Sequence, residues 1–224
     1  MTTSLVAPQE QEQQYEATVQ AVLDEARRQG ASAAEAAVGV EKGLQVAVRL
    51  GEVDTLEYHH DKGLSITVYF GDHKGSASTS DLSEAALKET VAAACGIARY
   101  TAEDDCAGLA DAELMARDYP DLDLHHPWDL SAEQAMDLAV ACEDTARQFD
   151  PRITNSEGAT VSSHEGIHVY GNSHGFVGGY PTSRHSISCS VIGREGEAMQ
   201  RDYWYTTARD QRNLEAAEAV GRRA

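Results

Sequence analysis

The stretch from Ala159 to Asn172 reads ATVSSHEGIHVYGN, and its conformation decides which fold and which chemistry the sequence predicts. It contains His164-Glu165-Gly166-Ile167-His168, the spacing at which two histidines one helical turn apart bind one zinc ion while the glutamate acts as base. Here β-branched and small polar residues surround a central glycine, a composition that favours extended chain over helix. We therefore predict a hairpin with a two-residue turn at Glu165-Gly166, which directs the two imidazoles to opposite faces.

A straight strand is the other extended geometry for this segment. His164 and His168 would then share a face but lie ~13 Å apart, at ~3.3 Å per residue. Two ligands that each lie ~2 Å from one zinc cannot be separated so widely. A free-standing zinc peptidase that uses His164, Glu165 and His168 therefore requires a helix here, and we interpret the motif as accidental.

The pattern of apolar residues on both sides of this stretch predicts antiparallel strands. Leu44–Leu50 and Leu64–Phe70 alternate between apolar and polar positions, with turns predicted at Gly51-Glu52, Asp61-Lys62-Gly63 and Gly71–Gly75. Short strand-like runs follow Pro151, separated by predicted turns at Glu157-Gly158, Glu165-Gly166, His174-Gly175, Tyr180–Ser183 and Glu195-Gly196. The predicted fold class is α+β, with antiparallel β-meanders packed against helices.

Helical periodicity predicts four helices. The first helix spans residues 15–29. The second runs from an Asp81/Glu84 capping box to Tyr100, and the third from a Ser131/Gln134 capping box to Phe149. The last begins near Leu214 and still continues at Ala224.

These elements predict four consecutive parts of the chain. They are a flexible tail (1–14), a first α+β unit (15–100), an acidic connecting segment (101–130) and a second α+β unit with the start of a truncated helix (131–224). Leu122, Leu124 and Trp128 predict that the connecting segment lies against the body of the protein. Both halves follow the order helix, meander, helix, which leaves open an internal duplication of αββα type.

Composition limits the classes of function. The 224 residues carry a formal net charge of −19, which repels phosphate backbones and argues against nucleic acid as a partner. No apolar run is long enough to span a membrane, and the first residues lack the pattern of a signal peptide. Cys95, Cys106, Cys142 and Cys189 lack metal-site spacing and are interpreted as buried free thiols, so we expect a cytoplasmic protein.

Several stretches together resemble the TldE/PmbA subunits of the TldD/TldE (PmbA/TldD) metallopeptidase family, over residues 15 to 224. The most specific are Gly171-Asn172-Ser173-His174-Gly175-Phe176, Ser183-Arg184-His185-Ser186 and Met199-Gln200-Arg201-Asp202-Tyr203-Trp204-Tyr205. Further matches lie at Val48–Glu57, Gly63–Tyr69, Lys74–Asp81, Ile97–Thr101, Asp129–Ser131 and Asn155–Gly158.

The resemblance implies the N-terminal half of such a subunit, with the family's C-terminal β-rich domain absent from this sequence. It also implies a heterodimer in which a TldD-like partner holds zinc on a His-Glu-x-x-x-His helix, while this chain binds no cofactor and helps to enclose a chamber where unfolded peptides are cut. No catalytic residue and no metal ligand carries over, because His164–His168 differs from that motif in spacing, element and place.

Within this expectation, the meander at 155–206 is predicted to line the chamber. The predicted chamber residues are Asn172, His174, Arg184, His185, Asp202, Trp204 and Tyr205. The competing interpretation of these residues is that they stabilise the sheet or the subunit interface. A non-enzymatic acidic interaction module is the competing function for the chain.

Overall fold

The computed structural model describes residues 8–224, so residues 1–7 of the predicted flexible tail lie outside the described residues. The elements are α1 Pro8–Arg28, β1 Ala33–Arg49, β2 Glu52–Phe70, β3 His73–Thr79, α2 Glu84–Tyr100, α3 Ala132–Phe149, β4 Ile153–Asn172, β5 Val177–Glu195, β6 Ala198–Ala208, a 3-10 turn at Gln211–Asn213 and α4 Ala217–Arg223. The strands pair in the order β3-β2-β1-β4-β5-β6. Strands β2 and β3, and β5 and β6, pair antiparallel. The predicted α+β class is confirmed.

The strands are longer than the sequence predicted. The turns predicted at Asp61-Lys62-Gly63, Glu157-Gly158, Glu165-Gly166 and Tyr180–Ser183 are wrong, because all four lie inside continuous strands. Two of the glycines serve close backbone approach instead of a turn. A Cβ at Gly166 would lie 2.8 Å from the Val40 carbonyl oxygen, and a Cβ at Gly158 would collide with the Val48 carbonyl.

The turns at Gly51-Glu52, Gly71–Gly75, His174-Gly175 and Glu195-Gly196 fall at observed strand ends. In the first, Leu50 and Gly51 both have positive φ, 55° and 81°, which is the signature of a tight hairpin turn. Glu143 of α3 is fully buried and accepts both turn amides, each at 2.8 Å. The turn is therefore bound to a helix as well as closed by its own geometry.

The starts of three helices, α1, α2 and α4, differ from the predicted ones. Helix α1 begins at Pro8, so residues 8–14 are helical and not part of a tail. Helix α2 is capped by Ser83 and not by Asp81, since the Ser83 side chain accepts from the Ala86 amide. The Asp81 carboxylate accepts from the Ser83 amide, before the helix begins. The Ser131/Gln134 capping box of α3 is confirmed. Before α4, the chain at Leu214 ends a 3-10 turn and does not yet begin a helix.

The chain packs as two compact units built from interleaved segments, whereas the sequence predicted consecutive ones. The first unit comprises the described residues up to Glu41, Asp61–Leu122 and Gly166–Pro181. Its core joins α1 and α2 to alternate residues of the strands and includes Val19, Val22, Val38, Leu64, Ile66, Val68 and Val91. Helix α2 packs directly on β3, since a Cβ at Gly75 would collide with the backbone of Ala94.

The second unit comprises Lys42–His60, Asp123–Glu165 and Thr182–Ala224. Its core joins α3 and α4 to alternate strand residues and includes Leu44, Val46, Val48, Ala139, Cys142, Val161, Ile187, Cys189 and Val220. Gly221 lets α4 approach α3, because a Cβ there would collide with the Cys142 carbonyl. In each unit the alternation of buried and exposed strand residues leaves one face of the strands free of helices.

The connecting segment, 101–130, contains no helix or strand, as predicted. Trp128 packs against the core of the second unit, and the Leu124 carbonyl accepts from the Ser183 amide. Leu122 is 64% exposed, so the prediction that it lies against the body is wrong. The cysteines are free thiols, as predicted, but Cys106 in this segment is exposed while the other three are buried.

Candidate functional site

The segment His164–His168 lies within β4 and is continuous strand. The predicted extended conformation is confirmed, and the predicted bend at Glu165-Gly166 is wrong. Each histidine packs over a glycine of β1. A Cβ at Gly43 would collide with the His164 ring, and one at Gly39 would lie 3.5 Å from His168 Nδ1.

The side chain of Glu165 lies next to the side chains of Lys42 and His125. Its Oε2 lies 3.3 Å from Lys42 Nζ and 3.7 Å from His125 Nε2. His164 stacks on His59 with ring centroids 5.9 Å apart. In the part of the chain that the structure describes, no group of three or more His, Cys, Asp or Glu side chains is placed to hold a metal ion.

Two of the predicted chamber residues, Asn172 and His174, form the turn between β4 and β5. Asn172 is buried, and its side-chain oxygen accepts from the His174 amide. The imidazole of His174 is hydrogen-bonded through Nε2 to the Ala110 carbonyl at 3.2 Å. Asn172 thus stabilises the turn, whereas His174 stays exposed on the surface of the first unit.

Arg184 and His185 are neighbours on β5 and point in opposite directions. Arg184 is exposed. His185 is fully buried: its Nδ1 is hydrogen-bonded to the Ser163 hydroxyl at 3.0 Å, and its Nε2 donates to the His126 carbonyl at 2.9 Å. Trp128 packs edge-on against the ring. His185 has no surface for a substrate, so its assignment to the chamber wall is wrong.

Asp202, Trp204 and Tyr205 lie on β6. Asp202 is exposed and accepts from the Tyr203 amide. Trp204 pairs with Cys189 in register, and its partly buried ring packs on the core of the second unit. Tyr205 pairs with Ser188 on the other face and is exposed.

A groove of about 600 Å³ lies on the first unit, a volume typical of small-ligand sites. Its rings are His168 and Tyr170 of β4 and Tyr180 of β5, and the rings of His168 and Tyr180 lie 5.7 Å apart. Most of the other lining residues are small or carry hydroxyl groups, namely Ala37, Gly39, Gly63, Ser65, Ser78, Thr79, Ser80 and Gly178, and the remaining three are Val38, Leu64 and Val169. None of the described lining residues is a lysine or arginine.

A carboxylate next to the groove fixes one of its tyrosines. Glu35 of β1 accepts hydrogen bonds from the phenols of Tyr69 and Tyr170, both at 2.9 Å. Burial and the hydrogen bond from Tyr69 to Glu35 raise the pKa of Tyr69 to about 12. Burial also raises the pKa of Tyr170. Both phenols therefore stay neutral and donate to Glu35 across the physiological pH range.

None of the predicted chamber residues lines this groove, which the sequence did not predict. The sequence pointed to His168 only as part of the rejected zinc motif. A signal was present in the alternating small and hydroxylated residues of β1, β2 and β3, such as Ala37, Gly39, Ser65 and Ser78. That pattern predicts an uncovered sheet face, but it does not predict where a groove forms.

This arrangement of an antiparallel sheet and helices defines an α+β protein whose HExxH segment is strand. Two family models match, "PmbA/TldA metallopeptidase domain 1" over residues 34–98 and "PmbA/TldA metallopeptidase central domain" over residues 125–224. The chain belongs to the PmbA/TldD metallopeptidase family.

Curated relatives agree with this assignment. The chain is 48% identical to the Metalloprotease PmbA homolog of Haemophilus influenzae over 220 residues, 98% of this chain and 48% of the relative. It is 50% identical to Metalloprotease PmbA of Escherichia coli O157:H7 over 188 residues, 84% of this chain and 42% of the relative. The chain thus spans about half the length of the curated relatives it matches.

Solved structures share the fold. A Bacteroides thetaiotaomicron protein described as a modulator of DNA gyrase matches with a TM-score of 0.86 and 26% identity over 94% of this chain and 48% of its own. TldE from Thermococcus kodakarensis matches with a TM-score of 0.69 and 16% identity over 92% of this chain and 46% of its own. No helix of residues 8–224 is long and apolar enough to cross a bilayer.

Proposed function

We propose that this chain is the N-terminal part of the zinc-free subunit of a two-subunit cytoplasmic metallopeptidase that degrades or processes unfolded peptides. A TldD-like partner holds the zinc, and this chain contributes substrate contacts and a partner interface. Membership of a family whose curated relatives are named metalloproteases supports the peptidase context.

The observation that carries the zinc-free role is the strand conformation of His164–His168. A zincin site needs both histidines on successive turns of one helix, with the glutamate free to act on a water molecule. Here Glu165 lies between Lys42 and His125, and the histidines pack separately over Gly43 and Gly39.

The substrate contacts are assigned to the groove on the first unit. Its rings offer apolar surface, and its hydroxyl groups offer hydrogen bonds to main-chain amides and carbonyls, so it suits an extended peptide without demanding one sequence. The lack of cationic lining residues and the net charge of −19 favour neutral or basic segments over acidic ones.

Cleavage of an unfolded protein by this chain together with its TldD-like partner tests the assignment. Tyr180→Ala, which removes a half-exposed ring from the groove, is expected to lower kcat/KM for reduced casein by about threefold to tenfold, the effect of losing ~1 kcal/mol of contact. Tyr100→Ala on α2, 93% exposed and outside the groove lining, serves as the matched control. Equal kcat/KM values for both variants and the unchanged chain would show that the groove does not contact the substrate.

The second candidate function is a non-enzymatic acidic interaction module. The description of the Bacteroides relative as a modulator of DNA gyrase favours it. A supercoiling assay with gyrase from the same genome distinguishes the two functions. Inhibition by this chain at stoichiometric concentration, without any effect on peptide cleavage by the zinc subunit, would favour the module.

A further inference from the structure

The first half of β2, Glu52–His60, has no buried side chain. It belongs to the second unit, while the second half of β2 lies in the first unit and buries Leu64, Ile66 and Val68. The pairing of β2 with β3 begins only at Leu64↔Thr79. Among the described residues, the outer edge of Glu52–His60 therefore has no neighbouring strand, and its side chains are exposed except for the partly buried Thr55 and for His59, which stacks on His164.

This segment, which we call the β2 edge, exposes apolar side chains. Val53 is 49%, Leu56 43% and Tyr58 71% exposed. A strand edge presents unpaired amides and carbonyls, so proteins usually protect it with charged side chains, above all lysine, with proline or with a covering element. The sequence EVDTLEYHH contains neither lysine nor proline, and its charged side chains are the carboxylates of Glu52, Asp54 and Glu57. Such an edge is suited to strand addition by another polypeptide.

The charges on the β2 edge discriminate between possible occupants. Glu52, Asp54 and Glu57 are exposed, and Asp61 follows directly. Antiparallel pairing of two copies of this edge would bring carboxylates opposite one another, which destabilises a sheet. A strand that carries lysine or arginine between apolar residues would be attracted instead.

We infer that the β2 edge is the docking strand for the partner subunit, which adds a strand bearing basic and apolar side chains. The inference rests on the proposed two-subunit function, and it deepens that proposal by naming the surface and the chemistry of the contact. Hydrogen bonds along the edge would supply affinity, while Leu56 and Tyr58 supply apolar contact and the acidic residues select a basic partner.

The test is the affinity of this chain for the TldD-like subunit of the same genome, measured by titration calorimetry. Leu56→Lys combined with Tyr58→Lys is expected to raise Kd by about tenfold or more, since both apolar contacts are lost and the added charges repel a basic strand. Glu52→Gln combined with Asp54→Asn is expected to raise Kd about threefold and to weaken its salt dependence. Both pairs of side chains are exposed, so circular dichroism should show unchanged folding.

Matched controls carry the same changes elsewhere on the surface. Tyr100→Lys combined with Leu114→Lys replaces exposed apolar side chains, and Asp105→Asn combined with Glu113→Gln replaces exposed acids. Both controls should bind like the unchanged chain. If the unchanged chain binds and the β2-edge variants bind equally well, the inference is overturned and the two-subunit function stands.

Two other outcomes also overturn the inference. If the unchanged chain forms a homodimer that the Leu56→Lys/Tyr58→Lys variant loses, the occupant of the edge is a second copy. If the unchanged chain does not bind the zinc subunit at all, the proposed function fails and the inference fails with it.

Discussion

The guanidinium carbon of Arg223 lies 3.8 Å from the centre of the Trp204 ring. This cation–π contact links α4 to β6, and Glu215 completes it by accepting from Trp204 Nε1 at 3.2 Å and pairing with Arg223 at 3.3 Å. Trp204 is therefore a structural residue of the second unit.

Trp204→Ala should accordingly lower the free energy of unfolding. We expect a loss of about 2–4 kcal/mol, because a packed indole, its hydrogen bond and the stacked cation are all removed. Urea unfolding measured by circular dichroism checks this.

Tyr205→Ala is the control on the same strand, since its side chain is exposed on the other face, and it should cost less than about 1 kcal/mol. Equal losses for the two variants would contradict the structural assignment of Trp204.

The Tyr69 phenol should make stability fall at alkaline pH. Its pKa is raised to about 12 in the folded chain, against about 10 in an unfolded chain. The folded state therefore holds the proton more tightly, so this contribution is present below about pH 10 and is lost as pH rises towards 12.

Tyr69→Phe removes the titrating group. The difference in unfolding free energy between the unchanged chain and Tyr69→Phe should shrink between about pH 9 and pH 11.5, measured by urea unfolding. A difference that stays constant over this range would show that the phenol is not held neutral by its surroundings.

Asp210 should contribute to the loss of unfolding free energy at acidic pH. Hydrogen bonds from the Arg212 side chain and amide hold the pKa of Asp210 at about 2, below its usual 3.8. A lowered pKa means that this stabilisation is complete above about pH 4 and is lost as pH falls towards 2.

Asp210→Asn keeps a capping oxygen but removes the charge. The variant should be less stable than the unchanged chain at pH 6, and the two should converge near pH 2 to 3, measured by denaturant unfolding. Arg212→Gln should behave in the same way, and a pH-independent deficit in both would contradict the pairing.

The HExxH segment should not create a zinc site. Equilibrium dialysis of the purified chain against zinc is expected to give well under one tightly bound ion per chain, and His164→Ala combined with His168→Ala should leave that value unchanged. One ion per chain that disappears in the double variant would contradict the strand geometry.

The sequence could predict features that depend on neighbouring residues. The Ser131/Gln134 capping box and the turn at Gly51 are set by side chains and dihedral preferences within a few positions, and both are observed. The extended state of Ala159–Asn172 follows from composition in the same way.

Features that depend on distant residues could not be predicted. Gly158 and Gly166 suggest turns locally, but they lie in a continuous strand. The carbonyl groups of Val48 and Val40 on β1 approach them so closely that a Cβ atom would not fit. His185 looks like a site residue in sequence, and only the fold places Ser163, His126 and Trp128 around it. The groove likewise depends on strands brought together from across the chain.

Peptide cleavage by separated and recombined components shows whether this chain needs a zinc-bearing partner. This chain and the TldD-like subunit of the same genome would be purified apart, supplied with zinc, and assayed on reduced casein alone and together. We expect no cleavage by this chain alone and chelator-sensitive cleavage when both are present. Zinc-dependent cleavage by this chain alone, abolished by His164→Ala, would contradict this expectation.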